Sequence, residues 1–209
     1  MKLKKGVKRF LIAVVIILVA VSAFFIFKSL DSKEGAKEVK VVSKISEYGY
    51  TLKDSKTKAY KDMFKELKEI LQKDNVDEEA YVKQISKMFV YDFYSLNDKA
   101  AKTDVGGTDF VYTEILDNFL LNAQDTYYKY VESNIYNDRK QSLPIVDETS
   151  IKINDITSAA YAYGTKTDEK AYAVKVTWDY TDDEYSDYQK EATLVFIHDG
   201  KKLSLVELQ

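Results

Sequence analysis

The sequence predicts an α+β protein in which an N-terminal transmembrane helix is followed by three helices packed on a curved, antiparallel four-stranded sheet. Three observations lead to this prediction. Residues 10–27 form an apolar run broken only by Ser22, and apolar residues recur at three- and four-residue intervals from about residue 55 to 134. After Pro144 the period changes to two, as in strands. Helices followed by a run of strands are typical of the α+β class.

The apolar run is long enough to cross a bilayer, which takes roughly 17 to 25 residues in a helix. Five basic residues and no acidic ones lie in residues 1–9. Positive charge before a span keeps that end in the cytoplasm, so the sequence predicts a cytoplasmic head (1–9), a transmembrane helix (10–27) and an extracellular remainder. The alternative is a cleaved signal peptide ending near Ala20-Val21-Ser22, although the apolar part of such peptides is usually about 7 to 15 residues long.

Residues 28–44 are charged and carry few bulky apolar side chains, so we predict a stalk there and a single extracytoplasmic domain over residues 45–209. All 34 acidic residues follow the basic head, and the exported part therefore carries a net charge of about −8. Such a surface argues against nucleic acid as a partner, because phosphate binding depends on lysine and arginine. The chain has no cysteine, which excludes disulfides, thiol catalysis and a lipid-modified cysteine.

The helical part begins after an ambiguous segment, residues 45–52, which alternates like a strand but contains Gly49. A first helix is predicted over about residues 55–73, with Asp54 or Ser55 as its N-cap. A second is predicted to begin after Asp77, with acidic residues in its first turn. After a loop at 97–107, a third is predicted from Thr108 to about Asn134.

Four strands are predicted after Pro144. The first opens at Ile151, the second covers about residues 172–180, and the third has apolar residues on both faces over residues 192–197. The fourth, residues 203–208, follows Asp199-Gly200, a pair that favours a tight hairpin turn.

The segments Phe93-Tyr94-Ser95-Leu96 and Val105-Gly106-Gly107-Thr108-Asp109-Phe110, together with the strands at 172–178 and 191–208, carry a family resemblance. With the anchor and the order of elements, residues 45–209 resemble the nuclear transport factor 2-like (cystatin-like cone) fold. The resembling versions belong to conjugative-transfer scaffold proteins of Gram-positive bacteria and to inner-membrane assembly factors of type IV secretion. The resemblance implies a non-catalytic, often oligomeric protein-contact domain, although other relatives of this fold are enzymes or ligand binders.

Two candidate chemical sites have simpler structural explanations. His198 is the only histidine, and catalysis by it would need a positioned partner; beside Asp199-Gly200 we expect a solvated strand end. The acidic segment 179–187 offers five carboxylates, yet it lacks the spacing and glycine of a calcium-binding loop and is expected to be a solvated hairpin tip. No metal or cofactor is therefore predicted.

Gly106-Gly107 precedes a predicted helix and can hold an anion on free backbone N–H groups. The alternative is a tight loop that lets helix and sheet approach closely, favoured because Asp104 and Asp109 flank the pair. Asp92 and Asp117 are the nearest candidates for a buried catalytic carboxylate, but both also fit the polar side of a helix.

Tyrosine is unusually abundant, with 17 residues. Its ring can be buried while its hydroxyl stays wet, so the tyrosines fit an interaction surface and the lining of the cone equally well. The predicted interaction surface comprises Tyr127, Tyr128, Tyr130, Tyr172, Trp178 and Tyr180.

These features predict a membrane-anchored, non-catalytic scaffold or adaptor with no catalytic residues. Its expected partners are the membrane and other envelope proteins, in a conjugation, secretion or envelope complex, and homo-oligomerisation is left open. The alternative is an extracytoplasmic module that binds a small apolar ligand or a cell-wall fragment, which requires an aromatic-lined pocket of about 300 Å³ or more.

Overall fold

The computed structural model describes residues 39–209, which form one compact unit. The predicted head (1–9), transmembrane helix (10–27) and most of the stalk lie outside the described residues. The domain starts earlier than the predicted boundary at residue 45, because strand β1 covers Val41–Ile45. Within residues 39–209 no helix is both long enough and apolar enough to span a membrane.

The ambiguous segment after the stalk is a short hairpin. Strand β1 pairs antiparallel with β2, Tyr50–Lys53, across a 3₁₀ turn at Ser46–Tyr48. Gly49 closes the turn with φ = 72°, a left-handed conformation that suits glycine. This explains why a glycine stands inside an alternating strand pattern.

Two of the three predicted helices form close to the expected bounds. Helix α1 covers Lys58–Leu71, and its N-cap is Thr57 rather than Asp54 or Ser55. Helix α2 covers Glu78–Tyr94, and its N-cap is Asp77 as predicted; the Asp77 carboxylate accepts a hydrogen bond from the Ala80 N–H at 3.0 Å.

The third predicted helix is much shorter than expected. Only Leu116–Asp125 is α-helical (α3), preceded by 3₁₀ turns at Thr108–Phe110 and Thr113–Ile115. Between these turns Val111 forms a parallel bridge with Leu205 of the sheet. After Asp125 the chain turns inward, because the Tyr128 hydroxyl donates a hydrogen bond to the Phe93 carbonyl at 2.6 Å. The prediction of a continuous helix to Asn134 was wrong.

The four-stranded antiparallel meander is confirmed, with the order β3-β4-β5-β6. Its strands are β3 (Lys152–Tyr163), β4 (Lys166–Thr177), β5 (Glu191–Asp199) and β6 (Lys202–Leu208). Gly200 adopts φ = 64° in the predicted tight turn between β5 and β6.

The main core lies between the helices and one face of the sheet. It includes Val82, Ile85 and Phe89 of α2 with Val174 and Leu194 of the sheet, all fully buried. The opposite face carries a smaller cluster of Tyr112, Ala171 and Ile197. Strand β5 is therefore covered on both faces, as its two-sided apolar pattern predicted.

Candidate functional site

The main candidate for a binding surface is an apolar groove between helix α3 and strand β6. Its volume is about 390 Å³. It is lined by Phe93, Ile115, Asn118, Phe119, Asn122, Ala123, Thr126, Leu205, Val206, Glu207 and Leu208. The groove lies at one edge of the sheet, where β6 is the last strand.

Helix α3 leaves much of its apolar surface uncovered. Ala123 is its only buried residue, and Leu116, Phe119 and Leu120 are half-buried against the core. Leu121 is 60% exposed. A helix with four bulky apolar residues that are not fully buried retains apolar surface for another molecule to cover.

The backbone of β6 is also open beside the groove. Gln209 exchanges two 3.0 Å hydrogen bonds with Thr193 across from β5. Alternate residues of an antiparallel strand direct their backbone groups to opposite sides, so the N–H and C=O of Leu208 point toward the outer edge. The groove thus combines apolar side chains with an accessible strand edge.

The predicted tyrosine surface is largely interior. Tyr128 and Trp178 are buried, and Tyr180 is 9% exposed and packs in the same core. Tyr127 is half-buried, with its hydroxyl 3.0 Å from that of Tyr180. Of the six predicted residues, Tyr130 is 76% exposed and Tyr172 is half-buried, so the six do not form one continuous exposed surface.

Asp92 is a buried ion-pair centre at the end of α2. One carboxylate oxygen contacts the ammonium groups of Lys56 and Lys99, the latter at 3.1 Å. The other oxygen accepts a hydrogen bond from the Gly107 N–H at 2.8 Å. All three partners belong to the protein itself, so the carboxylate is engaged in structural contacts. Of the two interpretations that the sequence left open for Asp92, a buried carboxylate and the polar side of a helix, the structure shows the first.

The Gly106-Gly107 pair is therefore a close-packed loop that binds the protein's own carboxylate. Gly106 lies against the backbone of α2, where a Cβ atom would be 2.0 Å from the Asp92 carbonyl oxygen. The Gly106 N–H donates to the Tyr128 hydroxyl at 3.0 Å. This geometry agrees with the close-approach interpretation rather than with a site for an external anion.

The charges around Asp92 set its protonation state. Burial raises the pKa of Asp92, but the attraction of Lys99 and Lys56 and the hydrogen bonds from Lys56 and Gly107 outweigh burial and lower the pKa to about 2. Burial lowers the pKa of Lys99, and the carboxylates of Asp92 and Asp98 more than reverse this. Both groups are held in their charged forms.

His198 has partners that the sequence did not reveal. Its Nδ1 lies 2.8 Å from an Asp168 carboxylate oxygen, and its Nε2 lies 3.5 Å from a Glu78 carboxylate oxygen. Tyr172 donates a hydrogen bond to the same Glu78 oxygen at 2.9 Å. Burial raises the pKa of Asp168, while hydrogen bonds from His198 and Lys170 lower it overall. This cluster ties the start of α2 to β4 and β5.

His198 also borders a polar cleft of about 800 Å³. The cleft contains both acidic and basic side chains, including Glu47 and Lys201, which form an ion pair at 2.7 Å.

The remaining acidic candidates do not form a metal site. Asp117 is exposed on α3. The acidic segment 179–187 forms a loop with a 3₁₀ turn at Asp183–Tyr185. Within the described part of the chain, no group of three or more histidine or acidic side chains has a metal-binding arrangement.

Comparison with known proteins gives no assignment: no protein-family model, curated protein or solved structure matches this chain.

Proposed function

We propose that this protein is a membrane-anchored, non-catalytic scaffold or adaptor whose extracytoplasmic domain docks other envelope proteins through the groove between α3 and β6. The observation that carries the proposal is the apolar groove lined by Ile115, Phe119 and Leu208, beside the outward backbone N–H and C=O at the end of β6. The order of three helices and a four-stranded meander agrees with the expected resemblance to nuclear transport factor 2-like contact domains. Membership of that family, and a role in conjugation or secretion, are parts of the proposal.

The partner that fits this surface is an extended segment with apolar side chains. Such a segment can place its side chains against Ile115 and Phe119 while its backbone pairs with the outward N–H and C=O of Leu208. Backbone pairing supplies affinity, and the groove selects the side chains. A segment with a basic residue next to the apolar ones fits best, because Glu207 lines the groove.

We expect Asn122→Arg to abolish recovery of the partner without unfolding the domain. Asn122 is exposed and lines the groove, so the substitution leaves the core intact, while a charged side chain in the interface carries a desolvation cost of several kcal/mol. The measurement is quantitative comparison of the proteins that co-purify with the detergent-extracted full-length chain. Val42→Arg is the matched control, since Val42 is 56% exposed on β1 and does not line the groove. Equal recovery with both variants would refute docking at the groove.

A second candidate function has specific support. The groove volume of about 390 Å³ and the ring of Phe119 fit a small apolar ligand or the apolar part of a cell-wall fragment. In that case the purified wild-type chain binds an environment-sensitive apolar dye in a saturable manner, and the dye is displaced by cell-wall extract. Protein partners would then be recovered equally with wild type and Asn122→Arg.

The anchor and its orientation rest on the sequence, since residues 10–27 lie outside the described residues. We expect protease added to intact cells to degrade residues 45–209, because the positive head keeps only the N-terminus inside. A cytoplasmic protein of the same cells serves as the control for lysis. Protection of the domain in intact cells, together with its degradation after lysis, would contradict the proposed orientation.

A further inference from the structure

The outer edge of strand β3 is the second notable surface, on the opposite side of the sheet from β6. Strand β3 is 12 residues long, and within residues 39–209 only β4 pairs with it. Its outward backbone N–H and C=O groups therefore face solvent. An open strand edge of this kind is a template for pairing with another strand.

This edge lacks the features that normally prevent such pairing. Soluble proteins protect edge strands with charged side chains, proline, bulges or a short length. From Ile156 to Thr165 the sequence contains neither a charged residue nor a proline. The side chains from Thr157 to Ala160 are small and exposed, so a second strand can approach them without steric conflict.

The edge is also continuous. The pairing of β3 with β4 skips Asn154, which places one bulge near the start of β3. At the second irregularity, Ala159 pairs with Ala171 and Tyr161 pairs with Asp168. Strand β4 therefore has one more residue than β3 between these two pairs, so the inserted residue belongs to β4. Strand β3 therefore runs without an inserted residue from Asp155 to Tyr163 and can form a regular ladder of hydrogen bonds.

We infer that the β3 edge pairs with the β3 edge of a second copy of this chain, antiparallel across a two-fold axis, to join the two sheets into one of eight strands. A two-fold interface places the same segment on both sides, so it needs a self-complementary surface. Directly opposite residues of an antiparallel pair share one face of the sheet, so the two-fold axis passes through a residue position. With the axis at Ala160, Ser158 lies opposite Ala162 and Thr157 lies opposite Tyr163, and all these residues are uncharged.

The charged ends of the edge also tolerate this arrangement. In the same register Asp155 lies opposite Thr165, so no like charges meet, even though the domain as a whole is acidic. The absence of charge conflict along the whole edge favours a second copy over a different protein as the occupant. The inference goes beyond the proposed function and involves a separate surface from the groove.

Disulfide trapping in the full-length, detergent-extracted chain tests this inference, since the natural sequence has no cysteine. We expect Ala160→Cys, at the two-fold axis, to form a covalent dimer on mild oxidation. Ala162→Cys is the matched control on the same exposed strand; the two substituted positions then lie about four residues apart along the strands, roughly 13 Å, too far for a disulfide. Equal cross-linking of both variants, or of neither, would overturn the inference.

A second measurement separates β3 pairing from association through the membrane segment. Ala160→Lys places two like charges opposite each other at the axis, and we expect it to abolish trapping of the double variant Ser158→Cys with Ala162→Cys, whose cysteines face each other across the interface. The far-ultraviolet circular dichroism spectrum reports whether the domain remains folded. Trapping that persists in the folded lysine variant would contradict the inference. Asn122→Arg is expected to leave trapping unchanged, so failure of the groove proposal and failure of β3 pairing give different results.

Discussion

Replacement of Asp92 by asparagine is expected to lower the free energy of unfolding by about 3 to 5 kcal/mol, the usual effect of breaking a buried ion pair by removing one partner. The Lys99 side chain is only 3% exposed, so loss of the Asp92 charge leaves a buried ammonium that Asp98 alone must balance. The substitution also weakens the acceptor of the Gly107 N–H. Urea unfolding followed by circular dichroism measures the change.

Asp62→Asn is the control for this prediction. Asp62 forms an exposed ion pair with Lys58 within α1, and such pairs contribute only about 0.3 to 0.5 kcal/mol. A loss of stability no larger for Asp92→Asn than for Asp62→Asn would mean that the buried ion pair does not hold the end of α2 in place.

The ion pair also predicts a pH dependence. The pKa of Asp92 is about 2 in the folded protein, below its ordinary value of 3.8. Its contribution to stability is thus fully present above about pH 4 and decreases as the pH falls toward 2. In that range we expect the wild type to lose more stability than Asp92→Asn does, and parallel pH profiles would contradict this.

Gly106→Ala is expected to destabilise the domain by about 3 kcal/mol or more, at or above the upper end of typical overpacking effects. The new Cβ atom would lie 2.0 Å from the Asp92 carbonyl oxygen and 2.5 Å from its carbonyl carbon. Both atoms belong to the backbone of α2 and cannot rotate away. The loop must therefore move, which also disturbs the hydrogen bond from Gly107 to the Asp92 carboxylate.

The control for this substitution is Gly164→Ala. A Cβ atom there meets nothing within 4 Å, and the cost comes only from the positive φ of 55°, about 1 to 2 kcal/mol. Thermal unfolding of the two variants separates steric conflict from backbone strain. If Gly106→Ala were no less stable than Gly164→Ala, the close packing of the loop on α2 would be refuted.

The sequence predicts the regular elements of this fold better than its irregular ones. The α2 start at Asp77 and the hairpin at Gly200 depend on local chemistry, capping in one case and positive φ in the other, and both are confirmed. The prediction of a long third helix was wrong because Phe110 and Val111 are buried by a 3₁₀ turn and a bridge to β6. Such irregular segments also place apolar residues at short intervals. The spacing of apolar residues along the sequence indicates which residues are buried, but it does not determine the backbone conformation of the segment that contains them.

The candidate site was harder to predict because it depends on contacts between distant segments. The partner of His198 is Asp168, 30 residues earlier, and no local pattern marks this pair. Tyr128 and Trp178 are buried in the core. The sequence could not distinguish this position from a place on the surface, because the aromatic rings of tyrosine and tryptophan are suited to both. The groove is formed by Phe119 of α3 and Leu208 of β6 with their neighbours, which are far apart in the sequence, so no local pattern predicts it.

Site-specific photo-cross-linking in intact cells tests docking at the groove most directly. A photoreactive amino acid at position 122 of the full-length chain is expected to give a discrete adduct with one or a few envelope proteins. The same probe at position 42, also exposed but outside the groove, is expected to give none of these adducts. Identical adducts from both positions, or no adduct from position 122, would contradict the account.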